Sequence, residues 1–200
     1  MMKSALFLLC AAGTSLAACA STSQYTTPVQ VTRFVDPAGA PIGSGTIAVE
    51  AAPGGEGDSL LFAAYRDAVA AELAQLGYTV TNNATSAQVA EVRLESFTER
   101  AGRDRGPVSV GVGGSTGTYG SGVGLGLGID LSGPPPEILS SELGVTIRDR
   151  ATRSALWEGR SSFATRADGE LADPRANAAR LADALFEGWP GENGETISVE

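Results

Sequence analysis

The chain contains no histidine. A Ser-His-Asp or Cys-His catalytic site needs an imidazole as its general base, and the common zinc sites use histidine and cysteine as ligands. With only two cysteines in 200 residues, both kinds of site are excluded in their usual forms. Carboxylate, lysine or tyrosine chemistry remains, or no chemistry at all. We predict no catalytic residue, no metal site and no cofactor.

Long apolar runs are also missing, and the most apolar stretch stands at the N-terminus. Residues 5–12 follow Lys3 and are almost all apolar, but a permanent membrane helix needs about 20 apolar residues. The stretch therefore fits a cleaved export signal. It leads to Leu16-Ala17-Ala18-Cys19, which matches the lipobox of bacterial lipoproteins, where cleavage precedes a cysteine that is diacylated on sulfur. We predict a lipoprotein signal peptide over residues 1–18 and lipidation of Cys19. The alternative is cleavage near Ala18 without a lipid.

Positive charge is scarce in the predicted mature chain. Without residues 1–18 it has 13 basic residues against 23 acidic ones, a net charge of −10. A net negative domain is a poor candidate for nucleic-acid binding because phosphate contacts need clustered Lys and Arg, and we predict no nucleic-acid partner. Attachment to a membrane must come through acylated Cys19, since several acyl chains anchor a protein stably. Cys10 leaves with the signal, so the folded domain has no disulfide and depends on packing for its stability.

The remaining residues divide into a flexible tether over residues 19–28 and one α/β domain over residues 29–200. Alternating apolar and polar residues predict strands at residues 29–35, 45–50, 78–81, 89–100, 142–150, 155–163 and 195–200. We expect a mixed, largely antiparallel sheet with two helices on one face and a glycine-rich β-hairpin. The hairpin belongs to an insert over residues 102–136.

Two stretches have the periodicity and end signals of helices. The first is predicted from Asp58, as N-cap, to about Leu76, with Gly77 as its C-terminal stop. Its buried face is predicted to contain Leu61, Tyr65, Val69, Leu73 and Leu76. The second starts at Asp173-Pro174, buries Leu181, Leu185 and Phe186, and ends at Gly188-Trp189-Pro190.

The insert alternates apolar residues with glycine over residues 108–113 and 123–131. So many glycines would make a helix costly, at about 1 kcal/mol each, so we interpret the insert as two strands joined by a glycine turn over residues 114–122. Glycine inside a strand is itself unfavourable unless another group approaches closely. A long flexible loop is the alternative. As a surface strand pair, its bare face would admit another backbone, a lipid or a cell-wall glycan. The predicted partner-contact residues are Val108, Val110, Val112, Tyr119, Val123, Leu125 and Leu127.

Several short motifs have a structural explanation beside the functional one. Residues 57–60 spell the Gly-Asp-Ser-Leu block of an esterase family and residues 113–117 fit a nucleophile elbow, but both chemistries need the missing histidine. Asp168-Gly169-Glu170 with Asp173 could be a calcium loop, but the EF-hand spacing is absent. A turn followed by a helix cap accounts for these acids. Trp157 and Trp189 are predicted to be core or half-buried residues rather than a stacking surface for a sugar or peptide.

Taken in order, several features resemble the bacterial lipoproteins of domain-of-unknown-function family 4136. They are the lipobox at Cys19, the strand at residues 46–50, Leu76-Gly77-Tyr78, Ile147-Arg148-Asp149, Leu156-Trp157-Glu158-Gly159 and Phe186-Glu187-Gly188-Trp189-Pro190. The resemblance covers the chain from about residue 29 to its end. It implies an envelope lipoprotein with an α/β domain and carries over no catalytic residue. Ala20 after the cysteine implies, by the rule for enteric bacteria, sorting to the outer membrane.

These observations predict a lipid-anchored protein on the periplasmic face of the outer membrane. We expect a non-enzymatic interaction or structural module whose partner is an envelope protein or the cell wall. The alternative is an accessory subunit or carrier that binds a lipid or small ligand between sheet and helices. A hydrolase that uses carboxylates alone is a third class.

Overall fold

The computed structural model describes residues 25–38, 41–82, 84–100, 108–117, 120–129 and 136–200. The predicted signal peptide, Cys19 and Tyr119 lie outside the described residues. Within the described ranges, no helix combines the length and apolar character needed to cross a bilayer.

Nine strands and two α-helices make up the described fold. In chain order they are β1 (Val29–Val35), β2 (Gly45–Ala51), α1 (Leu60–Gln75), β3 (Tyr78–Val80), β4 (Gln88–Arg100), β5 (Val108–Gly117), β6 (Gly120–Ile129), β7 (Glu137–Asp149), β8 (Ala155–Arg166), α2 (Pro174–Phe186) and β9 (Glu195–Val199). A short 3-10 helix, Glu170–Ala172, precedes α2.

Seven of the strands form one sheet in the order β3-β2-β4-β7-β8-β1-β9, and β5 and β6 pair separately. The strands from β4 to β9 in this order are antiparallel, whereas β2 is parallel to both β3 and β4. The predicted α/β class is confirmed, with its mixed, largely antiparallel sheet, its two helices and its glycine-rich hairpin. The insert predicted for residues 102–136 falls between the ends of β4 and β7.

The core lies between one face of the sheet and the two helices. Alternate strand residues point to this face, and α1 and α2 add residues at helical spacing. The largest strand contributions come from Val29, Val31, Ile47, Val92, Leu143, Val145, Ile147, Trp157 and Phe163. The helices contribute Phe62, Tyr65, Val69, Leu73, Leu181, Leu185 and Phe186.

Helix α1 begins one residue later than predicted. The N-cap is Ser59, whose Oγ accepts a hydrogen bond of 3.0 Å from the backbone N–H of Phe62; the prediction of Asp58 as the cap is wrong. A serine immediately before the first helical residue places its hydroxyl over the free N–H groups of the first turn, which decides between the two polar neighbours. The buried face shifts as well: Phe62 is buried, whereas Leu61 is 43 % exposed.

Helix α2 begins as predicted at Asp173, whose carboxylate accepts hydrogen bonds from the N–H groups of Arg175 and Ala176. Its C-terminal end is held by Arg33 of β1, which is 2 % exposed. The guanidinium donates to the carbonyls of residues 184, 185 and 187 at 3.2, 3.1 and 2.5 Å, and to Glu195 Oε1 at 2.7 Å. A cation among the last carbonyls of a helix satisfies otherwise unpaired acceptors, so Arg33 joins α2 to the sheet.

An aromatic cluster packs beneath the end of α2. The ring of Trp157 lies 5.5 Å from that of Phe186 and 4.8 Å from that of Trp189, and its Nε1–H donates to the carbonyl of Pro190 at 2.9 Å. Trp157 belongs to the core and Trp189 is partly buried against it, as predicted. A Cβ on Gly159 would overlap the Trp157 ring and Leu185, which explains the Trp-x-Gly spacing.

The ribbon of β5 and β6 is longer than predicted. The strands pair through residues 114–117 and 120–122, so the glycine turn predicted for residues 114–122 is wrong in extent. Antiparallel ladders are built from main-chain groups, and the Gly, Ser and Thr residues there present no bulk that prevents pairing. The two-residue connection, 118–119, lies outside the described residues. Strand β7 also begins earlier than predicted, at Glu137 rather than Glu142.

Candidate functional site

The N-terminal segment enters the fold along β8. The carbonyl of Tyr25 accepts a hydrogen bond of 3.2 Å from the N–H of Arg166, and the N–H of Thr27 donates to the carbonyl of Ala164 at 2.9 Å. Residues 25–28 of the predicted tether, 19–28, are therefore attached to the sheet. The predicted lipidation site, Cys19, precedes Tyr25 by six residues.

The glycine-rich hairpin is connected at the same end of the sheet. The last residue of β4, Arg100, pairs with Glu137 at the start of β7, and the next residue, Ile138, pairs with Arg166 at the end of β8. Arg166 is also the residue that is bonded to Tyr25. The N-terminal entry and the two residues that flank the hairpin insert, Arg100 and Glu137, therefore lie together at one end of the sheet, which we name the tether end.

The register of the hairpin separates its residues into two unlike faces. Val110 lies opposite Leu127 and Val112 opposite Leu125, whereas Gly111 lies opposite Gly126 and Gly113 opposite Gly124. The predicted contact residues other than Tyr119 thus share one face of the ribbon. This apolar face consists of Val108, Val110, Val112, Val123, Leu125, Leu127 and Ile129. Ile129 is its one member that the sequence analysis did not select.

The sheet face opposite the helices carries a set of charged side chains. Arg93 of β4, Gly144 of β7 and Arg160 of β8 are paired in one cross-strand row. Carboxylates flank this row on both sides. On one side, Glu91 and Glu158 lie two residues before Arg93 and Arg160 in their strands. On the other side, Glu95 lies two residues after Arg93 and pairs with Glu142 of β7. These residues line a cavity of about 410 Å³. We name it the open-face cavity.

Only some of these charges neutralise one another within the described part of the chain. Arg148 pairs with Glu91 at 2.9 Å and Arg160 with Glu158 at 3.3 Å. Arg93 has no ion-pair or hydrogen-bond partner among the described side chains, and Glu95 stands directly opposite Glu142. Like charges facing each other across two strands destabilise a sheet. The open-face cavity thus contains charges that folding does not require.

The open-face cavity offers charged groups that can bind a ligand. The guanidinium of Arg93 can hold a carboxylate or phosphate through two parallel hydrogen bonds, and Glu95 and Glu142 can accept hydrogen bonds from an ammonium group. No set of three metal-ligating side chains occurs in the part of the chain that the structure describes. A ligand or partner surface with both charges matches this arrangement.

The buried tyrosines are structural. The hydroxyl of Tyr65 donates to Asn177 Oδ1 at 2.6 Å, and Asn177 Nδ2 donates to Ser141 Oγ at 3.2 Å. Burial raises the pKa of Tyr65 to about 12, so its hydroxyl stays protonated and connects the two helices to β7. Burial likewise raises the pKa of Tyr78, whose hydroxyl donates to Gln88 Oε1 at 3.1 Å.

Two of the three acids considered as a calcium loop, Asp168 and Asp173, have other partners. Asp168 accepts hydrogen bonds of 2.8 and 2.7 Å from Arg166, which hold the pKa of Asp168 below its usual value. Asp173 caps α2. In the esterase-like block, Ser59 caps α1 and Asp58 precedes it without a capping role.

Sequence reasoning missed the open-face cavity. The signal was the alternation of Glu91, Arg93 and Glu95 on the polar side of one predicted strand. It was insufficient because strand order and register, which bring Gly144 and Arg160 beside Arg93, are not encoded in any one segment.

The comparisons find only weak likenesses. No protein-family model and no curated protein matches the chain. Among solved structures, a PelC dodecamer from Paraburkholderia phytofirmans is 10 % identical to this chain. The match covers 79 % of this chain and 94 % of the PelC chain, and its TM-score is 0.44. A PDZ domain protein from Parabacteroides distasonis is 13 % identical, with coverage of 88 % and 38 % and a TM-score of 0.47. A variant of the PelC dodecamer is 12 % identical, with coverage of 78 % and 95 % and a TM-score of 0.42. We base no argument on these likenesses, and the resemblance to family 4136 stays a prediction.

Proposed function

We propose that this protein is a lipid-anchored protein of the bacterial envelope whose folded domain binds a partner without catalysis. The observation that carries the proposal is Leu16-Ala17-Ala18-Cys19 behind a short apolar segment. Acylation of Cys19 supplies the attachment that a domain of net charge −10 cannot obtain from anionic lipid. Ala20 and the resemblance to family 4136 favour the periplasmic face of the outer membrane as its location.

The position of the N-terminal segment supports this arrangement. Tyr25 is bonded to Arg166 at the tether end of the sheet, and only residues 20–24 separate it from Cys19. An anchor at Cys19 therefore keeps the tether end next to the bilayer. The open-face cavity extends away from that end toward Glu91 and Glu158, where an envelope protein or the cell wall can reach it.

The surroundings of the carboxylates favour binding over hydrolysis. Glu95 and Glu142 are neighbours on adjacent strands, a spacing that a two-carboxylate hydrolase could use. On the sheet face opposite the helices, Glu95 is exposed and Glu142 is half-buried. A general acid needs an apolar enclosure, whereas the cavity that this pair lines with Phe97 and Phe163 leaves Glu95 exposed to solvent. We therefore assign the pair to recognition of a positively charged group.

A second candidate function, the carrier, has one observation in its favour. A groove of about 260 Å³ opens between the start of α1 and β4, with Leu61, Phe62, Val92 and Leu94 in its wall. Pockets for small molecules usually measure about 300–1,000 Å³, so this groove suits only a small apolar group. Further along, Trp157 and the α2 residues fill the space between sheet and helices. The interaction module is the better-supported function.

The anchor is tested by fractionating cells that express Cys19→Ser or Cys10→Ser. Cys10 belongs to the predicted signal, so its replacement leaves the mature protein unchanged and serves as the matched control. We expect the Cys19→Ser protein in the soluble fraction and the Cys10→Ser protein in the membrane fraction. Recovery of both variants in the membrane fraction would contradict the proposed anchor at Cys19.

A further inference from the structure

We propose that the apolar face of the β5–β6 hairpin lies against the lipid of the same membrane leaflet that holds acylated Cys19. This inference rests on the proposed function, because it takes the lipid anchor as its starting point. It assigns the hairpin a partner of definite chemistry, the boundary between lipid headgroups and acyl chains.

The first argument is the position of the anchor. Six residue steps from Cys19 to Tyr25 span at most about 20 Å when fully extended. Tyr25 is fixed to Arg166, and Arg166 is one register position from the pair of Arg100 and Glu137, where the hairpin is connected. The strand ends that flank the hairpin insert, Arg100 and Glu137, are therefore close to the residue at which the tether joins the sheet.

The second argument is length. Each strand of the hairpin has ten residues, which extend over about 33 Å at the usual rise per residue. The ribbon is thus longer than the tether that separates the tether end from the membrane. An apolar element of this length, connected so close to the anchor, is long enough to reach the lipid.

The third argument is the composition of the two faces. The strands contain no charged residue, and seven valine, leucine or isoleucine residues share one face, which is unfavourable in water. Open strand edges do not occur in the hydrocarbon core because their N–H and C=O groups would be unpaired. The ribbon therefore lies in the membrane–water interface, with its apolar face toward the acyl chains. Its glycine face leaves the backbone accessible to water, an arrangement like that of interfacial amphipathic segments.

Exposed aromatic residues give a fourth argument. In the described part of the chain, two of the three exposed aromatic side chains, Tyr25 and Phe97, belong to the segments that approach the tether end. They are 51 % and 58 % exposed. Aromatic rings are favoured at the membrane–water interface, so their positions agree with a tether end that faces the lipid.

The test uses adjacent positions on opposite faces of β5. Val110→Cys and Gly111→Cys are each labelled with an environment-sensitive fluorophore in the lipidated mature protein, where the Cys19 sulfur is acylated and Cys10 is gone. The proteins are reconstituted into phosphatidylethanolamine–phosphatidylglycerol vesicles that contain lipids with a quencher on the acyl chain. Tryptophan emission, dominated by the buried Trp157 and its neighbour Trp189, confirms that both variants are folded.

We expect the label at residue 110 to be quenched at least about twofold more strongly than the label at residue 111, given burial about 5–10 Å into the interface. Equal quenching, or none while the protein stays on the vesicles, would overturn the hairpin proposal and leave the anchor intact. A residue-110 label that is shielded from aqueous iodide but not quenched by the lipids would also overturn it, because a protein or a second copy would then cover that face. Failure to recover the lipidated protein with the vesicles would sink the anchor and the hairpin proposal together.

Discussion

Replacing Gly159 with alanine tests how the aromatic cluster is packed. An added Cβ would overlap Trp157 Cη2 and would lie 2.8 Å from both Trp157 Cζ2 and Leu185 Cδ1, about 1 Å closer than the optimum for carbon atoms. Trp157 is 1 % exposed and Leu185 is fully buried, so neither side chain can move into solvent. The Trp157 ring is also fixed by its hydrogen bond to the Pro190 carbonyl.

The magnitude follows from overpacking and its partial compensation. Extra volume in a packed core destabilises by about 1–3 kcal/mol, and loss of the tryptophan hydrogen bond adds about 1 kcal/mol. Alanine restricts the unfolded chain more than glycine does, which returns about 0.4–1 kcal/mol. We expect Gly159→Ala to lower the free energy of unfolding by about 2–3 kcal/mol, and a domain of this size then melts about 5–10 °C lower.

The matched control is Gly144→Ala on the adjacent strand and the opposite face. A Cβ there would meet the Cβ of Arg93 at an ordinary 3.7 Å, so we expect a change within about 0.5 kcal/mol. Urea unfolding followed by tryptophan emission measures both variants. Equal destabilisation by the two alanines would refute the reasoning, as would an unchanged effect of Gly159→Ala in a Trp157→Phe background, where the smaller ring leaves room.

Three further predictions concern stability. Arg33→Met leaves buried carbonyls at the end of α2 without their hydrogen-bond donor and should lower the free energy of unfolding by about 2–4 kcal/mol in urea titrations. A cost under 1 kcal/mol would contradict its capping role. Burial raises the pKa of Tyr65 from 10.0 to about 12, so the stability that its protonated hydroxyl contributes is complete below the unfolded pKa and is lost as pH rises from 10 toward 12. Urea midpoints should fall less steeply over this range for Tyr65→Phe than for the unchanged protein. Parallel profiles would argue against a buried, protonated Tyr65. Ser59→Ala should destabilise by about 1 kcal/mol and Asp58→Ala should be nearly neutral, whereas the reverse order would restore Asp58 as the cap.

Much of the fold could be predicted because its signals are local. The alternation in Val29–Val35, the glycine after Leu76 and the Asp173-Pro174 pair each specify an element from a few neighbouring residues. The choice between Asp58 and Ser59 failed because both residues can cap a helix and only the backbone decides which one precedes it. The extent of the hairpin was missed because glycine indicates a turn, yet residues 114–117 pair along their main chain.

The candidate sites show where local signals end. The hairpin could be selected from its own alternation, since both of its strands belong to one segment. Arg93, Gly144 and Arg160 come from three strands, and their meeting depends on the pairing of β4, β7 and β8, to which distant residues contribute. The role of Arg33 was equally hidden, because an arginine in an alternating strand is normally exposed, and only the end of α2 above it makes burial favourable.

The intact mass of the protein extracted from membranes tests the central claim, lipid anchoring at Cys19, most directly. The account predicts a mature chain that begins at Cys19 and carries the added mass of two or three acyl chains, with no such addition in the Cys19→Ser variant. A mass that matches an unmodified chain beginning near Ala20 would contradict the lipid anchor. It would also contradict the proposed orientation of the tether end toward the membrane.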